Sequence, residues 1–197
     1  MKVMKTTLPG VLLIEPKVFT DCRGSFVENY NLQAFKDAGL LYNFVQDNQS
    51  VSKHPGTIRG LHYQLPPHAQ AKLIRVVTGA IYDVAIDVRQ GSDTFGEWTS
   101  AILTADNHRQ LLVPRGFAHG FCTLVAETTV VYKVDGSYSA QHERGVAWDD
   151  TDLSIPWPYS IPVLSEKDRQ HPPLSKTEVF PVSGLSKNCA DPAPATE

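Results

Sequence analysis

Lys72-Leu73-Ile74-Arg75-Val76-Val77-Thr78-Gly79-Ala80-Ile81-Tyr82-Asp83-Val84-Ala85-Ile86-Asp87-Val88 reads as two β-strands joined by almost nothing. The runs Lys72–Thr78 and Ile81–Val88 are rich in β-branched and apolar residues, and only Gly79-Ala80 divides them. No helix fits between strands so connected, which excludes a βαβ unit here. Charges stand in this apolar company, among them Lys72 in the first run and Asp83 in the second. Two readings of those charges stand level: an ion pair with each other, or service in a site.

The same rhythm extends in both directions. Before this stretch lie candidate strands Phe44–Val51 and Thr57–Leu65. After it come Glu97–Leu103, Gln110–Val113, Gly120–Leu124, Thr128–Val134 and Gly145–Trp148, divided by turns such as Gln90-Gly91-Ser92-Asp93 and Asp135-Gly136-Ser137. Short strands at this spacing predict an all-β sandwich or barrel. Val11–Ile14 is a further β element, followed by a turn through Thr20–Gly24 and an alternating run Ser25–Tyr30. One helix is expected, with Asn31 as N-cap, Leu32 and Phe35 sharing a face, and Gly39 closing it. A single domain is expected over residues 1–180. The Ser, Asn, Ala, Asp and Pro of 181–197 predict a poorly ordered tail.

Composition narrows the function classes. A hydrophobic share of 42% suits a globule that buries a real core. The net charge of −3 supplies no global field for nucleic acid or anionic membrane, so an anionic ligand needs a local cluster of cations. Met1–Leu13 has its apolar run broken by Pro9-Gly10, which fits neither a signal peptide nor a spanning helix; the expectation is a cytoplasmic protein. Cys22, Cys122 and Cys189 form no CxxC pair and no zinc spacing, so no disulfide framework is expected. Cys122, in an apolar run, reads as a small buried residue.

Two stretches carry chemistry. Arg59-Gly60-Leu61-His62-Tyr63-Gln64, stopped by Pro66-Pro67, holds a cation, an imidazole, a phenol and an amide in one short strand. His62 reads either as a hydrogen-bonded barrel histidine or as a general base titrating near neutrality. Tyr132 shares a face with Val130 and Val134, which points its hydroxyl into an apolar interior where it needs a partner or a job. In Pro114-Arg115-Gly116-Phe117-Ala118-His119-Gly120, a proline and a glycine shape a bend and His119 opens the next strand. That pattern resembles the second motif of the cupin superfamily, small jelly-roll barrels. In metal-binding cupins this His joins a His-x-His pair and a Glu. Here the corresponding stretch is His62-Tyr63-Gln64, which lacks the second histidine, so no metal is expected.

Together, RGLHYQ at 59–64, Lys72, the GFAHGF run at 116–121 and Tyr132-Lys133 resemble the dTDP-4-dehydrorhamnose 3,5-epimerase family. So do FVQDN at 44–48, TFGEW at 94–98 and LSEKD at 164–168, in order from about Gly10 to Pro172. The resemblance implies a cupin-type jelly roll with a few short peripheral helices. It also implies a dTDP-linked 4-keto-6-deoxysugar as substrate, dTDP-4-dehydro-6-deoxy-D-glucose, inverted at carbons 3 and 5, with no cofactor. On that resemblance His62 is the base, Asp168 its orienting partner, Tyr132 the acid on the opposite face, and Lys72 the stabiliser of the enolate oxygen. Arg23, Arg59 and either Arg115 or Lys167 serve the diphosphate. Phe26, Glu28, Gln46 and Asn48 line the nucleoside site, with His119, Tyr138 and Glu143 as further substrate contacts. The resemblance also implies a homodimer, whose N-terminal segment, Arg23 to Glu28, reaches the neighbour's site.

The chemistry is coherent on its own terms. Inversion by deprotonation needs a base and an acid across a planar enolate, plus a stabilised oxyanion. The chain departs from the family pattern at Ser137 before Tyr138 and at Val134 after Lys133, near where the sugar sits. Those departures leave open a relative acting at carbon 3 only. A metal-dependent cupin enzyme and a non-catalytic sugar-nucleotide binder are the other readings. Arg89, Arg109 and Arg144 read as a solvated face. Finally, strict alternation puts His62 and Arg59 on opposite faces of their strand. Both reach one ligand only if the strand bulges at Gly60.

Overall fold

In the computed structural model, which describes residues 1–181, Gly79 turns the chain out of one sheet and into another. The strands are β1 Lys2–Lys5, β2 Leu12–Glu15, β3 Val18–Asp21, β4 Gly24–Val27, β5 Gln46–Ser52, β6 Ile58–Gln64 and β7 Lys72–Thr78. They continue with β8 Ala80–Asp87, β9 Trp98–Thr104, β10 Gln110–Val113, β11 Phe117–Thr123, β12 Thr128–Val134 and β13 Glu143–Gly145. Two short helices are α1 Leu32–Asp37 and α2 Glu166–Arg169, and Leu174–Lys176 makes a single 3-10 turn. One sheet has the order β1-β2-β10-β7-β12-β5, the other β13-β6-β11-β8-β9, and β3-β4 is a separate hairpin. β7 and β8 are consecutive in sequence yet sit in different sheets. All strand pairs in both sheets are antiparallel.

The two sheets pack face to face, as period-two strands with one apolar face must. Ile74, Val76 and Val130 from the first sheet meet Ile81, Ala85, Phe117 and Phe121 from the second in one buried cluster. A second cluster covers the outer face of the five-stranded sheet, where Leu61, Tyr63, Val84 and Ile86 pack under Leu153, Leu174 and Phe180. A third cluster lies outside the six-stranded sheet, where Phe35 of α1 and Leu40 cover Leu12, Leu73 and Leu112.

Asn31 caps α1 as expected, its Oδ1 accepting from the amides of Gln33 and Ala34 at 2.9 and 3.1 Å. Leu32, however, is exposed and only Phe35 turns inward, because a six-residue helix has room for one apolar contact with the sheet. Other expectations change, among them the strand expected at Gly145–Trp148, which runs Glu143–Gly145 instead. β11 begins at Phe117 rather than Gly120, so His119 lies inside the strand and not at its start. β1 was not anticipated; its alternation is weak and all but one of its residues are exposed. The expected tail lies outside the described residues, apart from Pro181, as does Cys189. Among the described residues, no helix is long and apolar enough to cross a membrane.

Candidate active site

The bulge expected at Gly60 is present, and it sets the geometry of the site. His62 pairs with His119 and Arg59 with Phe121, so three residues on β6 span what two span on β11. The extra residue returns Arg59 to the inner face beside His62. Gly60 sits at φ +131°, and a Cβ there would fall 2.5 Å from the Gly120 Cα and 2.9 Å from the His119 carbonyl oxygen. Only glycine accepts both the conformation and the close approach.

Two adjoining cavities open between the sheets. One, of about 440 Å³, is lined by Ser50, Arg59, His62, Lys72, His119, Phe121, Tyr132, Lys167 and Asp168, among others. The other, of about 340 Å³, is lined by Gln46, Asn48, His62, Tyr63, Gln64, Gln70, Lys72, Tyr132, Tyr138 and Glu143. His62, Lys72 and Tyr132 belong to both, so they form the wall the two share. His62 comes from the five-stranded sheet and Lys72 and Tyr132 from the six-stranded one. An imidazole and a phenol therefore approach the same space from opposite walls.

His62 is oriented by α2. Ser165 caps that helix, accepting from the Asp168 amide at 3.1 Å, and this places the Asp168 carboxylate 2.7 Å from His62 Nε2. A carboxylate only accepts, so Nε2 carries the proton and the lone pair sits on Nδ1. Burial lowers the His62 pKa, against the pull of Asp168, and the neighbouring Lys72 and His171 lower it further. Burial opposes ionisation of Asp168, but the imidazoles of His171 and His62 overcome it and hold the carboxyl well below its usual range.

Lys72 donates from Nζ to the His62 carbonyl at 3.2 Å. Burial lowers its pKa to about 8, with Glu143 and Asp83 pulling the other way. The ammonium and Asp83 do not pair directly: Asp83 instead sits 2.7 Å from the Nε2 of His119, both of them buried. Tyr132 does not point into a purely apolar interior but faces the cavities, and burial raises its pKa, which keeps the phenol protonated. Among the described residues it has no hydrogen-bond partner.

The other expected residues divide. Arg59 is held by Ser52 Oγ and the Val51 carbonyl, both at 3.1 Å, and faces no carboxylate partner among the described residues. Glu143 accepts from the Tyr138 hydroxyl at 2.6 Å and pairs with Lys167, bridging the two cavities. Gln46 and Asn48 line the second cavity and bond each other at 2.8 Å. Glu28 lines a groove on the outer face of the six-stranded sheet, with Arg75 and Lys133. Arg23 and Phe26 are exposed on the β3–β4 hairpin, away from both cavities, and Arg23 is tied to Asp21 at 2.6 Å.

Two readings need correction. Arg115 pairs with Asp135 at 3.1 Å and lines neither cavity. Arg89 is not a solvated charge: it pairs with buried Asp87 at 2.7 Å and lies over the Phe117 ring at 4.5 Å. Gln64 is buried and spends its amide on the backbone, donating to the carbonyls of His68 and Ser137 and accepting from the Ser139 amide at 2.6 Å. It thereby holds the loop that carries Tyr138.

His171 escaped the sequence reading, because a histidine followed by two prolines in a loop gives no pattern. Its ring meets His62 edge-on at 5.2 Å.

Known proteins resemble this chain along most of its length. Residues 5–176 match the family model described as dTDP-4-dehydrorhamnose 3,5-epimerase. A curated relative of that name from Shigella flexneri is 52% identical over 85% of this chain and 93% of its own. The crystal structure of the Bacillus anthracis str. Ames dTDP-4-dehydrorhamnose 3,5-epimerase, with TDP and PPi bound, is 56% identical. It superposes with a TM-score of 0.86, covering 87% of this chain and 98% of that one. The Legionella pneumophila Philadelphia 1 dTDP-6-deoxy-D-glucose-3,5-epimerase, in complex with dTDP-4-keto-L-rhamnose, is 40% identical with a TM-score of 0.83 over 89% of this chain and 93% of that one. With an all-β jelly roll, a His–Asp dyad facing a tyrosine across the barrel, and this likeness along nearly its whole described length, the chain belongs to the dTDP-4-dehydrorhamnose 3,5-epimerase family.

Proposed function

We propose that the protein epimerises dTDP-4-dehydro-6-deoxy-D-glucose at carbons 3 and 5, giving dTDP-4-dehydro-L-rhamnose. The observation that carries this is the opposition of His62 and Tyr132 across a cavity wall that also holds Lys72. His62 Nδ1 takes the proton next to the 4-ketone, and Asp168 stabilises the resulting imidazolium. The Lys72 ammonium receives the charge that develops on the ketone oxygen; a preorganised donor in such a place commonly supplies about 3–4 kcal/mol. Tyr132, kept protonated by burial, returns a proton to the other face of the enolate. Inversion follows because acid and base sit on opposite walls, and no electron changes hands.

Arg59 and Lys167 serve the diphosphate, the first through a guanidinium fork with no carboxylate to neutralise it. Gln46, Asn48, Tyr138 and Glu143 contact the remainder of the ligand, and His119, fixed by Asp83, shapes the sugar end. Arg23 and Phe26, exposed and away from both cavities, serve the site of a second copy in a homodimer, while Glu28 shares a groove with Asn48 and Tyr132 of its own chain. The exposed Val51 and Val77 on the outer face of the six-stranded sheet give that dimer apolar surface to cover. Incubation of the purified protein with dTDP-4-dehydro-6-deoxy-D-glucose, followed by NMR of the sugar ring, tests the assignment. Inversion at both carbons is expected; inversion at carbon 3 alone would narrow the activity, and unchanged substrate with folded protein would overturn it.

A further inference from the structure

Asp168 has more imidazole around it than a dyad requires. His171 Nε2 lies 3.6 Å from the same Asp168 Oδ1 that His62 contacts at 2.7 Å, and the ligand atoms of all three residues lie within 4.8 Å of one another. At 3.6 Å the His171 contact is too long for a hydrogen bond. Its Nε2 is buried and has no hydrogen-bond partner. Packing holds the ring there: a Cβ on Gly145 would fall 2.4 Å from His171 ring atoms. A polar atom is thus buried, unsatisfied and aimed at an ionised carboxylate.

We infer that His62, Asp168 and His171 form a binding site for a divalent first-row transition-metal ion such as zinc, and that its occupation switches off the base. Two imidazoles and a carboxylate are a donor set these ions favour. Ligand bonds of about 2.0–2.2 Å separate tetrahedral donors by roughly 3.4 Å. The two separations from Asp168, 2.7 and 3.6 Å, bracket that value, and the two imidazoles, whose ligand atoms lie within 4.8 Å of each other, close the set by rotating toward the ion. The fourth position opens through half-buried His62 into the catalytic cavity. Lys72, bonded to the His62 carbonyl, opposes the added charge; Glu143, on the neighbouring strand, favours it.

The consequence rests on the function proposed above. A metal takes the Nε2 lone pair of His62, and the single proton of the neutral ring moves to Nδ1. That is the nitrogen assigned as base, so metal and catalysis exclude each other.

Chelator-treated full-length protein titrated with Co²⁺ tests the site independently of activity. Visible d–d bands should saturate at one ion per chain and bleach on adding Zn²⁺. The affinity should fall by at least about tenfold in both His171→Gln and His171→Ala, with circular dichroism confirming the fold of each. His68→Ala, which breaks the neighbouring His68–His142 ring pair at 4.5 Å, should leave the bands unchanged. Absent bands, bands indifferent to both His171 variants, or bands lost with His68 would overturn the site. Zn²⁺ should also suppress proton exchange in the wild type, with recovery on chelation; cobalt binding without that suppression would overturn the switch. Metal-free protein that exchanges no proton would count against the base assignment instead, leaving the cobalt result to stand by itself.

Discussion

The proposed mechanism needs His62 and Lys72 in opposite protonation states, and their surroundings favour both. Burial lowers the His62 pKa below the ordinary 6.5, so the ring is neutral and basic at pH 7. Burial also brings Lys72 down to about 8, where it is still largely charged at pH 7. Activity should therefore rise as His62 loses its proton and fall as Lys72 loses its own. The expected kcat/KM profile is a bell with an acidic limb below pH 6.5 and an alkaline limb near pH 8. In Lys72→Arg the guanidinium stays charged throughout, so the alkaline limb near pH 8 should vanish even if the rate drops. A limb that survives unchanged in that variant belongs to another group. His62→Ala should reduce turnover by about 10²–10⁴-fold, the range for a lost general base, in a steady-state assay on folded protein.

At the level of single elements, β6 shows what a sequence can and cannot disclose. That Arg59 and His62 needed a bulge to share a face followed from counting residues, and Gly60 was the position that could supply it. Gly60→Ala should destabilise the protein by about 2–4 kcal/mol, since it adds strain at positive φ to a clash with backbone. Thermal or denaturant unfolding would measure it, and a loss under 1 kcal/mol would mean that β6 can relax around a Cβ. The strands β7, β10 and β12 were legible to the residue, because each is a short run rich in apolar and β-branched residues closed by a turn former, Gly79, Pro114 or Asp135. Which sheet each strand joins was not legible, since local pattern carries no information about partners far along the chain. The same limit explains the charges. Lys72 and Asp83 stood out as anomalies, but only the fold reveals that Asp83 answers to His119, which is 36 residues away. It explains His171 too, brought beside His62 by the turn after α2.

For the molecule as a whole, the cavities contain every proposed proton-transfer group but not the hairpin residues Arg23 and Phe26. If these complete a neighbour's site, two defective chains should help each other. An Arg23→Ala protomer keeps its own His62, and a His62→Ala protomer lends it an intact hairpin. Refolded mixtures of the two should show a lower KM than Arg23→Ala alone; a KM indifferent to mixing would assign the hairpin to its own chain or to none.

In the proposed mechanism one chain sets a base and an acid on opposite walls of a single cavity. That arrangement is tested most directly by running the reaction in deuterated water and reading the label carbon by carbon. The wild type should carry solvent deuterium at carbons 3 and 5 of inverted product, and His62→Ala at neither. Tyr132→Phe should still exchange label into recovered, uninverted substrate, because His62 can remove a proton and return a solvent-derived one to the same face. Equal loss of exchange and inversion in Tyr132→Phe would contradict the two-wall account.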